Sequence, residues 1–215
     1  MKFGVVVAGT IAILGMSGLA LAQTPPARTG FQMHIRTGYS LPMGNFQQGA
    51  AMSDMLSGQV PFILDIGGKI TPEFFLGGYL GLGFGGMGGA AKRECEADQL
   101  ECRAVGVHIG IEAQYHILPA GLVNPWVGYG LGYESVAVSQ GRNGVTTSAS
   151  VGGFEFARFM AGADFRVTRG FGVGPFMDLS MATYSRVSNS SFSANLEKTA
   201  THEWLTLGVR FVVFP

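Results

Sequence analysis

Charge is scarce in this chain. Only 13% of its 215 residues are Asp, Glu, Lys or Arg, about half the usual share of roughly 25%. The 14 basic and 14 acidic residues cancel, so there is no basic excess to serve as a footprint for nucleic acid. High apolar content at zero net charge excludes disorder. Only four residues are lysine, too few for an ordinary solvated surface. Cysteine is nearly missing as well, at two residues. Beyond Ala22 there is no run of roughly 18 apolar, uncharged residues with helical character, so no transmembrane helix is expected there. Yet mean hydropathy is +0.29, and 34 residues are glycine, more than twice the usual ~7%.

The first 22 residues read as an address. Met1-Lys2 is a short basic start, Phe3 to Leu21 an apolar run, and Ala20-Leu21-Ala22 a small-residue cleavage site. A membrane anchor is the rival reading, but Gly4, Gly9, Gly15 and Gly18 weaken a helix. The expected organisation is therefore a signal peptide over 1–22, an extended leader over 23–29 with Pro25-Pro26, and one domain over 30–215.

From Phe31 onward hydrophobicity repeats every second residue, the period of a strand with one greasy and one polar face. Residues 103–117 are the cleanest case. Val105, Val107, Ile109, Ile111, Ala113 and Tyr115 alternate with Gly106, His108, Gly110, Glu112, Gln114 and His116. The pattern recurs over 31–41, 59–70, 74–85, 126–137, 153–167, 171–184 and 202–214, which makes eight strands. In the sixth, Phe154 and Phe156 fall on the polar parity and Glu155 on the greasy one, as a bulge or a protruding hairpin would produce. Connections 42–58, 86–102, 138–152 and 185–201 are long, while 71–73, 118–125 and 168–170 are short and rich in turn formers. Eight strands with alternating long and short connections specify an all-β, antiparallel up-and-down transmembrane barrel. Closure satisfies every backbone group without an edge, as hydrocarbon demands.

The polar parity carries much glycine and few charges. That composition is poor as a solvated face and suits the filled lumen of a narrow barrel, where glycine admits large neighbours. Some glycines could mark bulges instead. The lumen set is basic at Arg36, Lys69, Arg158, Arg166 and Arg210, and acidic at Asp65, Glu112, Glu134, Asp164 and Asp178. His34, His108, His116 and His202 share that parity. Enclosed charges must be paired, so a balanced lumen points to a cross-linked plug rather than an ion-selective pore. Counting from the short turns puts Arg36, Asp65, Glu112, Asp164 and Arg210 at one level, and one network is expected there. The bland alternative is that some of them face trapped water.

Thr206-Leu207-Gly208-Val209-Arg210-Phe211-Val212-Val213 resembles the C-terminal assembly signal of small OmpA/OmpX-like outer-membrane β-barrel proteins, with Thr206, Gly208, Phe211 and Val213 at its marked positions. The chain departs from that class in ending on Phe214-Pro215 instead of a terminal aromatic. The resemblance covers about residues 30–215. It implies periplasmic termini and short turns, four outward loops, and contact with the bilayer, lipopolysaccharide and the outer-membrane assembly machinery.

Cys95 and Cys102 read first as a disulfide across a loop tip in an oxidising envelope. Free thiols and, more weakly, a metal site are the alternatives, given Glu94, Glu96, Asp98 and Glu101 nearby. Gly81-Leu82-Gly83-Phe84-Gly85-Gly86 matches a dinucleotide fingerprint but lies in a strand with no helix after it. His202-Glu203 lacks the second histidine of a zincin. No histidine has a serine two residues away; cross-strand pairing of His202 with Ser180 or Ser185 is the remaining route to a nucleophile. Trp126, Trp204, Tyr39, Tyr115, Tyr133 and Phe171 lie near strand ends as an aromatic girdle, although both tryptophans fall on lumen parity and could cap the barrel mouths instead.

The expectation is thus a non-enzymatic, monomeric outer-membrane barrel with a structural or interaction role through its loops, no cofactor and no metal. A narrow solute channel, a lipid-A-modifying enzyme and a soluble barrel with its faces inverted are the alternatives.

Overall fold

A computed structural model describes residues 28–142, 145–189 and 191–215. The expected signal peptide and most of the leader lie outside the described residues. Eight long strands form the sheet: β1 (Gly30–Gln47), β2 (Leu56–Lys69), β3 (Phe74–Met87), β4 (Glu101–His116), β5 (Val123–Arg142), β6 (Val145–Arg166), β7 (Phe171–Asn189) and β8 (Thr201–Val213). Each pairs antiparallel with the next. β8 also pairs with β1, Arg210 opposite Arg36 and Gly208 opposite Gly38, so the ring closes.

Burial is inverted relative to a soluble protein. Leu82, Ile109 and Val209 are 43%, 55% and 41% exposed on the outside, whereas Glu112 is 2% exposed and Arg210 fully enclosed. A soluble barrel with greasy residues packed centrally is therefore corrected away. The exterior is an apolar belt and the core is polar.

Glycine supplies the room this needs. Tyr79 lies flat across the next two strands, and a Cβ at Gly110 or Gly132 would collide with its phenol. Trp126 lies over Gly162 in the same manner.

The sheet continues past the expected strand ends on the long-connection side. The stretch 138–152, expected as a loop, is almost entirely the paired ends of β5 and β6, from Val138 opposite Ala149 to Arg142 opposite Val145. Residues 42–58 are not loop either. β1 runs on to Gln47, Ala50–Ala51 folds back to pair with it, and α1 (Met52–Met55) leads into β2. A second helix, α2 (Gly89–Ala97), joins β3 to β4. Ser193–Asn195 returns as a short strand against β7.

At this end the interior changes character. Met52, Leu56, Ala104, Val136, Tyr184 and Trp204 form a buried apolar cluster, with Phe46, Met87 and Val151 packed against it. Met52 hangs inward from α1 and caps the polar lumen.

Candidate functional site in the barrel lumen

The lumen is crossed by a chain of ion pairs. Arg36 on β1 holds Asp65 on β2 with two parallel bonds, Nε to Oδ2 at 2.8 Å and Nη2 to Oδ1 at 2.8 Å. Its Nη1 donates to Asp178 Oδ2 at 2.9 Å, and Nη2 reaches Glu112 Oε2 at 3.3 Å. Arg158 on β6 donates Nη1 to the same Asp178 oxygen at 3.2 Å and Nε to Glu155 Oε1 at 2.7 Å. The Tyr79 hydroxyl donates to Glu155 Oε1 at 2.8 Å, and the Tyr79 ring lies 4.5 Å from the Arg158 guanidinium. All these groups are withdrawn from water. Each buried charge is matched by bidentate or multiple partners, the condition under which enclosure is tolerated.

Nearer the cap, Glu134 on β5 is handled differently. Its Oε1 accepts bonds from the Tyr184 hydroxyl and from Trp204 Nε1 at 2.9 Å. Its Oε2 lies 3.3 Å from His202 Nε2 and 4.0 Å from His108 Nδ1. His108 Nδ1 is in turn 3.1 Å from Glu155 Oε2, which ties Glu134 to the chain through imidazole. Among the described residues no Lys or Arg pairs with Glu134.

Not all of the expected set joins this network. Arg36, Asp65 and Glu112 come together, and Asp178, Arg158 and Glu134 connect to them. Asp164 and Arg210 do not; they form their own pair at 3.5 Å, with the Arg210 guanidinium 4.0 Å from the Trp126 ring. Arg210 stands directly opposite Arg36 in the β1–β8 register, so the two guanidinium groups diverge to separate acids. Lys69 and Arg166 close the short-turn end instead. Lys69 Nζ donates to the Pro72 carbonyl at 2.6 Å, and Arg166 Nη2 to the Pro119 carbonyl at 3.0 Å.

The residue that sequence reasoning missed is Glu155. A bulge at Phe156 shifts the phase of β6: Gly132 faces Glu155 while Gly130 faces Arg158. Glu155 is therefore inside and Phe154 outside. The enclosed set becomes six acids against four bases, since Arg166 is only partly covered at the short-turn end. The signal lay in the misplaced pair Phe154 and Phe156.

Other expected positions resolve as follows. Cys95 and Cys102 form a disulfide between α2 and the start of β4. Thr206 points inward and its hydroxyl lies 2.7 Å from that of Ser40, Phe211 and Val213 point outward, and Phe214 tucks beneath Arg166 at 4.3 Å. Tyr39, Tyr115, Tyr133 and Phe171 are exposed on the belt, whereas Trp126 and Trp204 are enclosed in the lumen. His202 is turned to Glu134, while Ser180 lies opposite Trp204. His34 faces Asp65 at 3.5 Å, and His116 meets the Asn124 amide at 2.7 Å.

No protein-family model matches the sequence, and no curated protein matches it. Solved structures do. Neisserial surface protein A superposes with a TM-score of 0.52 at 12% identity, over 85% of this chain and 97% of that one. Ail, the attachment invasion locus protein of Yersinia pestis, gives 0.48 at 12% identity over 85% and 98%. A major outer membrane protein of Thermus thermophilus gives 0.48 at 13% identity over 86% and 99%. At these identities the likeness speaks to architecture alone. The chain has the fold of the small OmpA/OmpX-like eight-stranded barrels.

Proposed function

We propose that this protein spans a bacterial outer membrane and acts as a monomeric, non-enzymatic structural or interaction protein. The observation that carries the reading is the inverted burial. An apolar belt of Leu82, Ile109 and Val209 faces outward while Arg36, Glu112 and Arg210 are enclosed. Such a belt in water would be an aggregation surface, and in hydrocarbon it is the stable arrangement. The apolar partner is the bilayer, with lipopolysaccharide beside the outward end. The assembly machinery would read the terminal strand around Thr206, Gly208, Phe211 and Val213.

In this reading the short turns and both chain ends face the periplasm, and the capped end with α1, α2 and the β5–β6 hairpin faces outward. The lumen is shut by the chain from Arg36 through Asp178 to Glu155, and shut again by the Met52 cap. Solute conduction is disfavoured on that ground, and planar-bilayer recordings of the pure protein should stay silent. Lipid-A hydrolysis is disfavoured because His202 is committed to Glu134.

Cell fractionation together with gel mobility before and after boiling tests the proposal. Recovery in the outer membrane with a faster-migrating unboiled band supports it. Recovery as a soluble monomer without detergent overturns it.

A further inference from the structure

We propose that His108, Glu134, Glu155 and His202 form a binding site for one divalent transition-metal ion of the zinc class, in the lumen just beneath the apolar cap.

The first ground is convergence. The four side chains come from β4, β5, β6 and β8, and all are buried. Single donor atoms of His108, Glu134 and Glu155 lie within 4.8 Å of one another. His202 Nε2 adds a fourth donor, 3.3 Å from Glu134 Oε2. The nearest donor-to-donor separations are 3.1, 3.3 and 4.0 Å. A tetrahedral ion with bonds of about 2.0–2.2 Å needs separations of roughly 3.3–3.6 Å. His108, Glu134 and Glu155 approach this, and His202, which lies outside their 4.8 Å group, must swing inward from Glu134 to complete the cage.

The second ground is how each carboxylate is divided. Glu134 gives Oε1 to Tyr184 and Trp204 and turns Oε2 to the histidines. Glu155 gives Oε1 to Tyr79 and to Arg158 Nε, and turns Oε2 to His108, sharing it with Arg158 Nη2 at 3.2 Å. In metal centres, outer donors hold one oxygen in this way and aim the other at the ion.

The third ground is charge. With Glu155 inside, the enclosed acids outnumber the enclosed Lys and Arg, and among the described residues Glu134 is the enclosed acid that no Lys or Arg pairs with. The other cluster of similar composition, His34 with Asp65 and Glu112, already surrounds the Arg36 guanidinium. In the site near the cap Arg158 meets Glu155, but Glu134 Oε2 faces imidazoles alone. Arg158 stands at its edge, with Nη2 3.2 Å from Glu155 Oε2 and 3.3 Å from His108 Nδ1. Its Nε and Nη1 bonds hold it in place when Nη2 yields to an ion.

Donor chemistry selects the ion. Two imidazoles and two carboxylates suit zinc, cobalt(II) or iron(II); calcium wants an all-oxygen shell. Both cysteines are paired with each other, so no thiolate is present to favour copper(I). Because the Met52 cap lies above the site, the ion enters while the barrel folds and then ties four of its eight strands together.

The test uses tag-free full-length protein, refolded into detergent with cobalt(II) or zinc alone and freed of excess metal by gel filtration. One equivalent of tightly held metal and intense cobalt d–d absorption near 500–650 nm are expected. His202→Gln and Glu134→Gln should each weaken binding at least tenfold, whereas His34→Gln should leave it unchanged. Gel mobility shift and circular dichroism establish that each variant is folded. If folded wild-type protein retains no stoichiometric metal, the proposal is overturned whatever the variants do. It is also overturned if folded His202→Gln binds as tightly as the wild type, or if His34→Gln abolishes binding.

Discussion

Arg158 and Glu155 are three residues apart on one strand and still bond side by side in the lumen, Nε to Oε1 at 2.7 Å. Residues at odd spacing on a regular strand face opposite ways. Phe156 breaks the rule. It has no partner on β7, where Glu155 faces Ala182 and Ala157 faces Met181. The bulge brings both charges to the same side and expels Phe154.

The pair should be strongly coupled. Glu155→Gln leaves Arg158 with Asp178 as its remaining carboxylate partner, and should cost about 3 kcal/mol. Replacing both residues, as Glu155→Leu with Arg158→Met, should cost clearly less than the sum of the two single changes. Urea unfolding in lipid vesicles with EDTA present measures this. Additive costs would contradict the pairing.

The outer belt gives an independent expectation. Ile109 sits in mid-strand with its side chain outward. Ile109→Arg should lower the stability of the vesicle-inserted barrel by about 2–4 kcal/mol. Ile109→Leu should be nearly neutral. Folded fractions on unboiled gels across a urea series report the difference.

The disulfide should act locally. Cys95 and Cys102 are seven residues apart in sequence and tie α2 to β4 outside the ion-pair network. Cutting the link releases about 2–3 kcal/mol of loop-closure restraint, confined to that connection. Cys95→Ser with Cys102→Ser should leave the barrel's unfolding midpoint in place while trypsin cleaves faster after the exposed Lys92 and Arg93. A midpoint that falls with the loop would mean that α2 supports the barrel itself.

The period-two pattern carried most of this architecture because each strand answers to one local question, lipid or lumen. Leu82 and Ile109 faced out, and Arg36 met Asp65, for no reason beyond parity and distance from a turn. What was illegible depends on residues that break parity or act at long range. The bulge at Phe156 inserts one residue and reverses the phase outward of it, which hid Glu155. Arg210 parted from the network because β8 closes onto β1 opposite Arg36, a pairing with no local sign. The cap joins Met52 to Tyr184 and Trp204, more than a hundred positions away, and a four-residue helix has no period to read.

Tyr79 offers the sharpest test of why this chain is rich in glycine. Its phenol crosses Gly110 and Gly132 to reach Glu155, and its ring supports Arg158. Gly132→Val puts branched bulk where the hydroxyl lies. The ring must then leave its place or the strands must part, at about 1–3 kcal/mol for overpacking. Tyr79→Leu shortens the side chain and should recover part of that loss in the Gly132→Val background, although alone it is destabilising because it removes a donor from Glu155. Unfolding midpoints of the wild type, both single variants and the double variant form the cycle. A double variant no better than the additive sum would mean that Gly132 is there for strand geometry and not for the phenol.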